Sequence, residues 1–129
     1  MIKKKDKKFS LLDGREKAEK VARLMNDKKA AGLMLFDLRG ISGFTEYMII
    51  ASAGSLRQGQ ALADLVLDYC KQNNFEFLRA EGYQAGKWIL LDMNDVVVNI
   101  FQNDARELYN LEGLWADAPQ LELPAAGAE

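Results

Sequence analysis

The stretch "KWILLDMNDVVVNIF", residues 87–101, limits the fold more than any other part of the chain. Two apolar runs, each long enough for a strand, are separated only by Asp92-Met-Asn-Asp95. A gap that short closes a hairpin and leaves no room for a crossover. The pair must therefore be antiparallel, and the remaining elements have to be arranged around it.

Working outward, "GLMLFDL" (32–38) and "EYMIIASA" (46–53) are short continuous apolar runs with β-branched and aromatic residues, and they read as buried strands. The loop "RGISGF" joins them too briefly for a parallel crossover, so they too are expected to be antiparallel. "FEFLRAEGY" (75–83) alternates and predicts a third strand. Helical spacing predicts one helix from Ser10 to about Lys29, with Ala18, Val21 and Met25 on its apolar stripe and Ser10 or Asp13 as cap. A second begins at Ser55, carries Ala61, Leu62, Leu65, Val66 and Tyr69 on one face, and stops at Asn73-Asn74. "NDARELYNLEGLW" predicts a short third helix. The expected architecture is α/β, a single domain with a mixed five-stranded sheet flanked by helices. The expected divisions are a basic leader over 1–9, the domain over 10–118, and a flexible tail over 119–129. The tail has Leu121 and Leu123 as its sizeable apolar residues and both prolines, so it is expected to be dispensable.

The 129 residues contain no histidine. Imidazole-dependent nucleophilic catalysis and histidine metal sites are thereby excluded. Cys70 is the single cysteine, which excludes an internal disulfide or a cysteine zinc cluster, and its apolar neighbours read as core. Net charge is −2, and beyond residue 29 the basic residues are Arg39, Arg57, Lys71, Arg79, Lys87 and Arg106. So acidic a body is expected to make little direct RNA contact. No apolar run reaches the ~20 residues of a membrane helix. The basic start lacks the apolar stretch of a signal peptide, which makes cytoplasm the expected location.

"AGSLR" (53–57) lies between a strand and a helix. Gly54 and Ser55 read as turn and cap, or as a weak anion site in which Arg57 assists. A nucleotidyltransferase would need paired carboxylates on the following strand. Glu76 and Glu81 stand at an odd spacing, which puts them on opposite faces, and Asp92 and Asp95 are likewise odd across their turn. Neither pair makes a metal clamp, so no metal and no cofactor are expected. Trp88, Tyr83, Tyr109 and Trp115 read as core packing or as interface anchors, and the strand-start position of Trp88 favours partial exposure.

Taken in order, "LFDLRGISGFTEYMIIASAGSLRQGQALAD", "EGYQAGKWILLDMNDVVVNIF" and "ARELYNLEGLWADAP" resemble the ribosomal silencing factor family, RsfS or Iojap, over about Leu11 to Pro119. The resemblance implies a nucleotidyltransferase-like α/β fold without an active site. It also implies a non-enzymatic job: binding the conserved large-subunit protein numbered fourteen, blocking association with the small subunit, and repressing translation when nutrients are scarce. There are two departures from the family pattern, Gln58-Gly59 where it usually reads His-Val, and Asn99 where it usually reads His. On this reading Trp88, Asp92, Asp95, Asn99, Glu81 and Tyr83 are expected to face the partner, Asp95 being open to a docking role, a turn-forming role or both. Ser55 and Arg57 form the polar loop. The protein is expected to be a monomer or weak homodimer. The alternative is a vestigial nucleotidyltransferase-like enzyme or nucleotide-binding protein using Ser55, Arg57, Glu81 and Asp92.

Overall fold

The computed structural model describes residues 9–123, so most of the expected leader and the end of the expected tail lie outside the described residues. The elements are α1 (Gly14–Asp27), β1 (Ala31–Asp37), β2 (Tyr47–Ala53), α2 (Leu56–Asn73), β3 (Arg79–Glu81), β4 (Trp88–Asp92), β5 (Val96–Gln102), α3 (Asn103–Tyr109), α4 (Leu111–Leu114) and β6 (Gln120–Leu121). The strands lie in the order β3-β4-β5-β2-β1-β6. Only the central pair, β2 with β5, is parallel; every other pairing is antiparallel. Both expected hairpin-like pairs are present, β1 with β2 and β4 with β5.

β2 is buried at all seven positions and β5 at six of its seven. Apolar runs without alternation mean that both faces of the sheet centre are covered. One face packs on α1 and α2 through Ile49, Ala51, Ile89, Leu91, Val98 and Ile100. The other carries a smaller cluster of Phe36, Met48, Ile50 and Phe101 beneath Ala105 of α3 and Ala118. The helix α2 has a defined end at each terminus. The Ser55 hydroxyl accepts the Gln58 N–H, and Asn74 takes the left-handed conformation. Asn74 N–H and Phe75 N–H return to the carbonyls of Lys71 and Cys70, which is a Schellman closure.

Three expectations need correction. Among the described residues the sheet has six strands, because Gln120–Leu121, placed in the tail by the sequence reading, pairs with Phe36 and Leu35. Leu121 and Leu123 pack against the main core. The third strand is only Arg79–Glu81, since Phe75 is held by the end of α2 and its ring meets Tyr69 edge-on at 5.8 Å. The last helix is two helices, broken at Asn110, whose φ is +48°.

Candidate interaction face

Strand alternation sorts the residues of the β4–β5 hairpin. Ile89 and Leu91 point into the α1–α2 core, so Trp88, Leu90 and Asp92 occupy the opposite face. Register extends this across strands. Glu81 pairs with Leu90 and Leu90 with Asn99; Arg79 pairs with Asp92 and Asp92 with Val97; Trp88 pairs with Phe101. Four of the expected docking residues, Glu81, Trp88, Asp92 and Asn99, are thus brought onto one sheet face, the one that α3 partly covers.

Trp88 is half-buried at the head of β4. Its ring lies 4.9 Å from that of Phe101 and 5.0 Å from that of Tyr109. Tyr109 itself is 55% exposed, and Leu108 of α3 and Leu114 of α4 are exposed as well. Trp88 donates its indole N–H to Oδ1 of Asn99 at 2.9 Å, and the Asn99 amide donates to the Ile49 carbonyl at 3.3 Å. Asn99 has no exposure, so it cannot meet a partner directly. It lies beneath the face rather than on it, because α3 and its following segment cover this part of β5.

The carboxylates are already engaged. Arg79 reaches Glu81 at 2.7 Å and Asp92 at 3.3 Å, one guanidinium between two carboxylates. This local group therefore carries a net charge of −1 and remains acidic. Asp92 also accepts the Asn94 N–H at 2.9 Å, which fixes the turn, while Asn94 adopts φ +77°. Asp95 does not stand free on the rim. It forms an ion pair with Lys17 of α1 at 2.5 Å, and the Lys17 side chain is only 8% exposed. Its carbonyl also accepts the N–H groups of Glu46 and Tyr47. Asp95 thus ties α1, β2 and the hairpin turn together. Tyr83 lies off the face, its hydroxyl donating to Asp64 of α2 at 2.9 Å and its carbonyl accepting from Gln60.

Ser55 and Arg57 sit at the head of α2, with the turn closed by its own side chains. Gln58 Oε1 accepts the Gly54 N–H at 2.8 Å while Ser55 Oγ accepts from Gln58 N–H. The backbone donors an anion would use at Gly54 and Gln58 are already bonded. Glu76, the other carboxylate weighed for chemistry, accepts from the Asn94 amide at 3.1 Å. Among the described residues no group of three or more Asp, Glu, His or Cys is arranged to hold a metal ion, and no helix is long and apolar enough to cross a membrane. The Cys70 thiol is buried, and that burial pushes its pKa up to about 11, which keeps it protonated and unreactive.

Arg106 went unnoticed in the sequence. Its Nη1 donates to Ser52 Oγ at 2.8 Å and its Nε to Glu112 Oε2 at 3.0 Å. The contacts link residues 54 and 6 positions apart. Spacing along the chain gives no sign of the longer one.

The sequence model of the family described as "Ribosomal silencing factor during starvation" matches residues 12–129. A protein of Halalkalibacterium halodurans named ribosomal silencing factor RsfS is 39% identical over 99 residues, covering 77% of this chain and 85% of that protein. Among solved structures, a Bacillus halodurans protein superposes with a TM-score of 0.75 at 35% identity, covering 84% of this chain and 99% of the other. A Chromobacterium violaceum protein superposes with a TM-score of 0.79 at 26% identity, covering 92% and 98%.

Proposed function

This chain belongs to the ribosomal silencing factor family, and on that premise we propose that it represses translation by docking on the large ribosomal subunit and blocking its joining with the small subunit. The proposed docking partner is the conserved large-subunit protein numbered fourteen. The observation that carries this reading is the aromatic pair Trp88–Tyr109 on the α3 side of the sheet, with the acidic Arg79–Glu81–Asp92 group on the same sheet face and exposed Leu108 and Leu114 on α3 and α4. An aromatic anchor with an acidic border suits a basic protein surface, and aromatic residues of this kind dominate interface energetics. Protein rather than RNA is the fitting target, since Arg79 on this face is already held between two carboxylates and is not free for phosphate.

On this reading the protein is not an enzyme and acts in the cytoplasm. It works as a monomer or weak homodimer, and direct contact with ribosomal RNA is minor. In the Gly54–Gln58 turn the N–H groups of Gly54 and Gln58 are taken up internally, which supports the non-enzymatic reading. Light scattering on mixing purified ribosomal subunits tests the proposal. Preincubating large subunits with the protein should suppress the scattering rise of subunit joining, and preincubating small subunits should leave it unchanged. Undiminished joining at saturating protein would refute it.

A further inference from the structure

Four elements converge on the Arg106 guanidinium. It grows from α3, bonds Ser52 of β2 and Glu112 of α4, and passes under Gly32 of β1. A Cβ at position 32 would come within 2.8 Å of its Nη1, and Gly32 has φ +55°. The β1–β2 register shifts between Ala31 and Met34, where Gly32 lies. This irregularity and the glycine make room for the guanidinium, which gives the bulge a physical role. The Arg106 side chain is 13% exposed and Ser52 is buried, so the arrangement is internal.

Arg106 stands one helical turn before Tyr109, and its carbonyl accepts the Asn110 N–H at 2.9 Å, which closes α3. Fixing Arg106 therefore fixes where α3 ends and where the Tyr109 ring lies against Trp88. The bond to Glu112 carries the same restraint into α4, beside exposed Leu114. The sheet, the two short helices and the aromatic pair are coupled through one planar group with several donors in fixed directions.

We propose that Arg106 is a positioning residue for the docking face: without touching the partner, it preorganises Tyr109 against Trp88 and so strengthens large-subunit binding. The inference rests on the docking reading above. Short helices of seven and four residues have little stability of their own. Unanchored, they sample many orientations, and ordering them on binding weakens affinity.

The test compares Arg106→Met, Ser52→Ala, Glu112→Gln and Trp88→Ala with the unaltered protein. Melting temperature and affinity for purified large subunits, at a temperature where the variant is folded, are measured on each, and the Trp88–Tyr109 contact is followed by nuclear Overhauser effects in all but Trp88→Ala. Arg106→Met should lose about tenfold or more in affinity, mostly through faster dissociation, together with the Trp88–Tyr109 effects. Ser52→Ala and Glu112→Gln should each lose a few-fold with the same spectroscopic change, and they decide the matter if Arg106→Met does not fold. A purely structural role would lower the melting temperature and leave the affinity of the folded fraction and the ring contact unchanged, which would overturn the inference. Wild-type binding by Trp88→Ala would instead sink the docking reading itself. Loss of binding in Trp88→Ala with none in the Arg106, Ser52 and Glu112 variants would leave docking standing and refute positioning.

Discussion

The Trp88 indole N–H donates to Oδ1 of Asn99 at 2.9 Å, a bond made across the β4–β5 hairpin by a half-exposed ring and a fully buried amide. The amide is in turn held by the Ile49 carbonyl. The orientation of the ring on the surface is thus set from inside the sheet.

Asn99→Leu keeps the volume and removes the acceptor, leaving a part-buried indole N–H and a buried carbonyl short of partners. Chemical denaturation should show a loss of about 1–3 kcal/mol. Asn99→His separates the acceptor role from shape. A neutral imidazole can still accept from Trp88, while the buried imidazolium has only donors. Burial depresses the folded-state pKa below the unfolded value near ~6.5. The stability of this variant should therefore be fully present above that value and fall as pH drops below it. The unaltered protein, without histidine, should show no step there. Stability curves from pH 5 to 8 check both statements.

Asp95→Asn keeps the turn preference and removes the partner of Lys17, whose side chain is 8% exposed. An uncompensated buried ammonium is costly, about 3–5 kcal/mol when both partners are fully buried. Asp95 is 31% exposed, so a loss of roughly 1–3 kcal/mol is expected. A thermal melt that matches the unaltered protein would mean that Lys17 finds water or another carboxylate.

Truncation after Ala118 removes the strand that pairs with Leu35 and Phe36, the Pro119 carbonyl that accepts from Asp37 N–H, and the side chains of Leu121 and Leu123. Burying a leucine fully stabilises by about 1.5–3 kcal/mol, and these two are half-buried, so the truncated chain should lose roughly 2–3 kcal/mol. The sequence-based expectation of a dispensable segment predicts no change, and one denaturation curve distinguishes the two.

The central strands were legible because their apolar runs are long and their connections short. β6 was not, because two residues between Pro119 and Pro124 carry no periodic signal, and only β1 gives them a partner. The partner-facing role expected for Asn99 came with the family resemblance, which says nothing of its burial. The sequence does not reveal that α3 folds back over this part of β5. Glu81, Trp88 and Asp92 share one sheet face, and their engagement with Arg79 and Asn99 depends on register that spacing alone does not give. Lys17–Asp95 and Ser52–Arg106 join residues far apart in sequence, and such pairs leave no local trace.

Gly59 lies on the buried face of α2, where an added Cβ would meet Ala53, Ile100 and Ile89 at 3.6–3.7 Å, ordinary contact distances. Glycine costs a helix about 1 kcal/mol relative to alanine. Gly59→Ala should therefore raise stability by about that amount, a shift of roughly 4 °C in Tm by calorimetry. A lower Tm would show that the site does not hold a methyl group.

The affinity of Trp88→Ala for purified large ribosomal subunits decides whether the α3 side of the sheet is the docking surface. It is measured by co-sedimentation over a protein titration, at a temperature where circular dichroism shows the variant folded. Truncating an aromatic anchor costs at least ~2 kcal/mol, about thirtyfold in dissociation constant. A loss of that size is expected in the folded variant. Affinity equal to that of the unaltered protein, with the fold intact, would contradict it and place the docking surface elsewhere on the molecule.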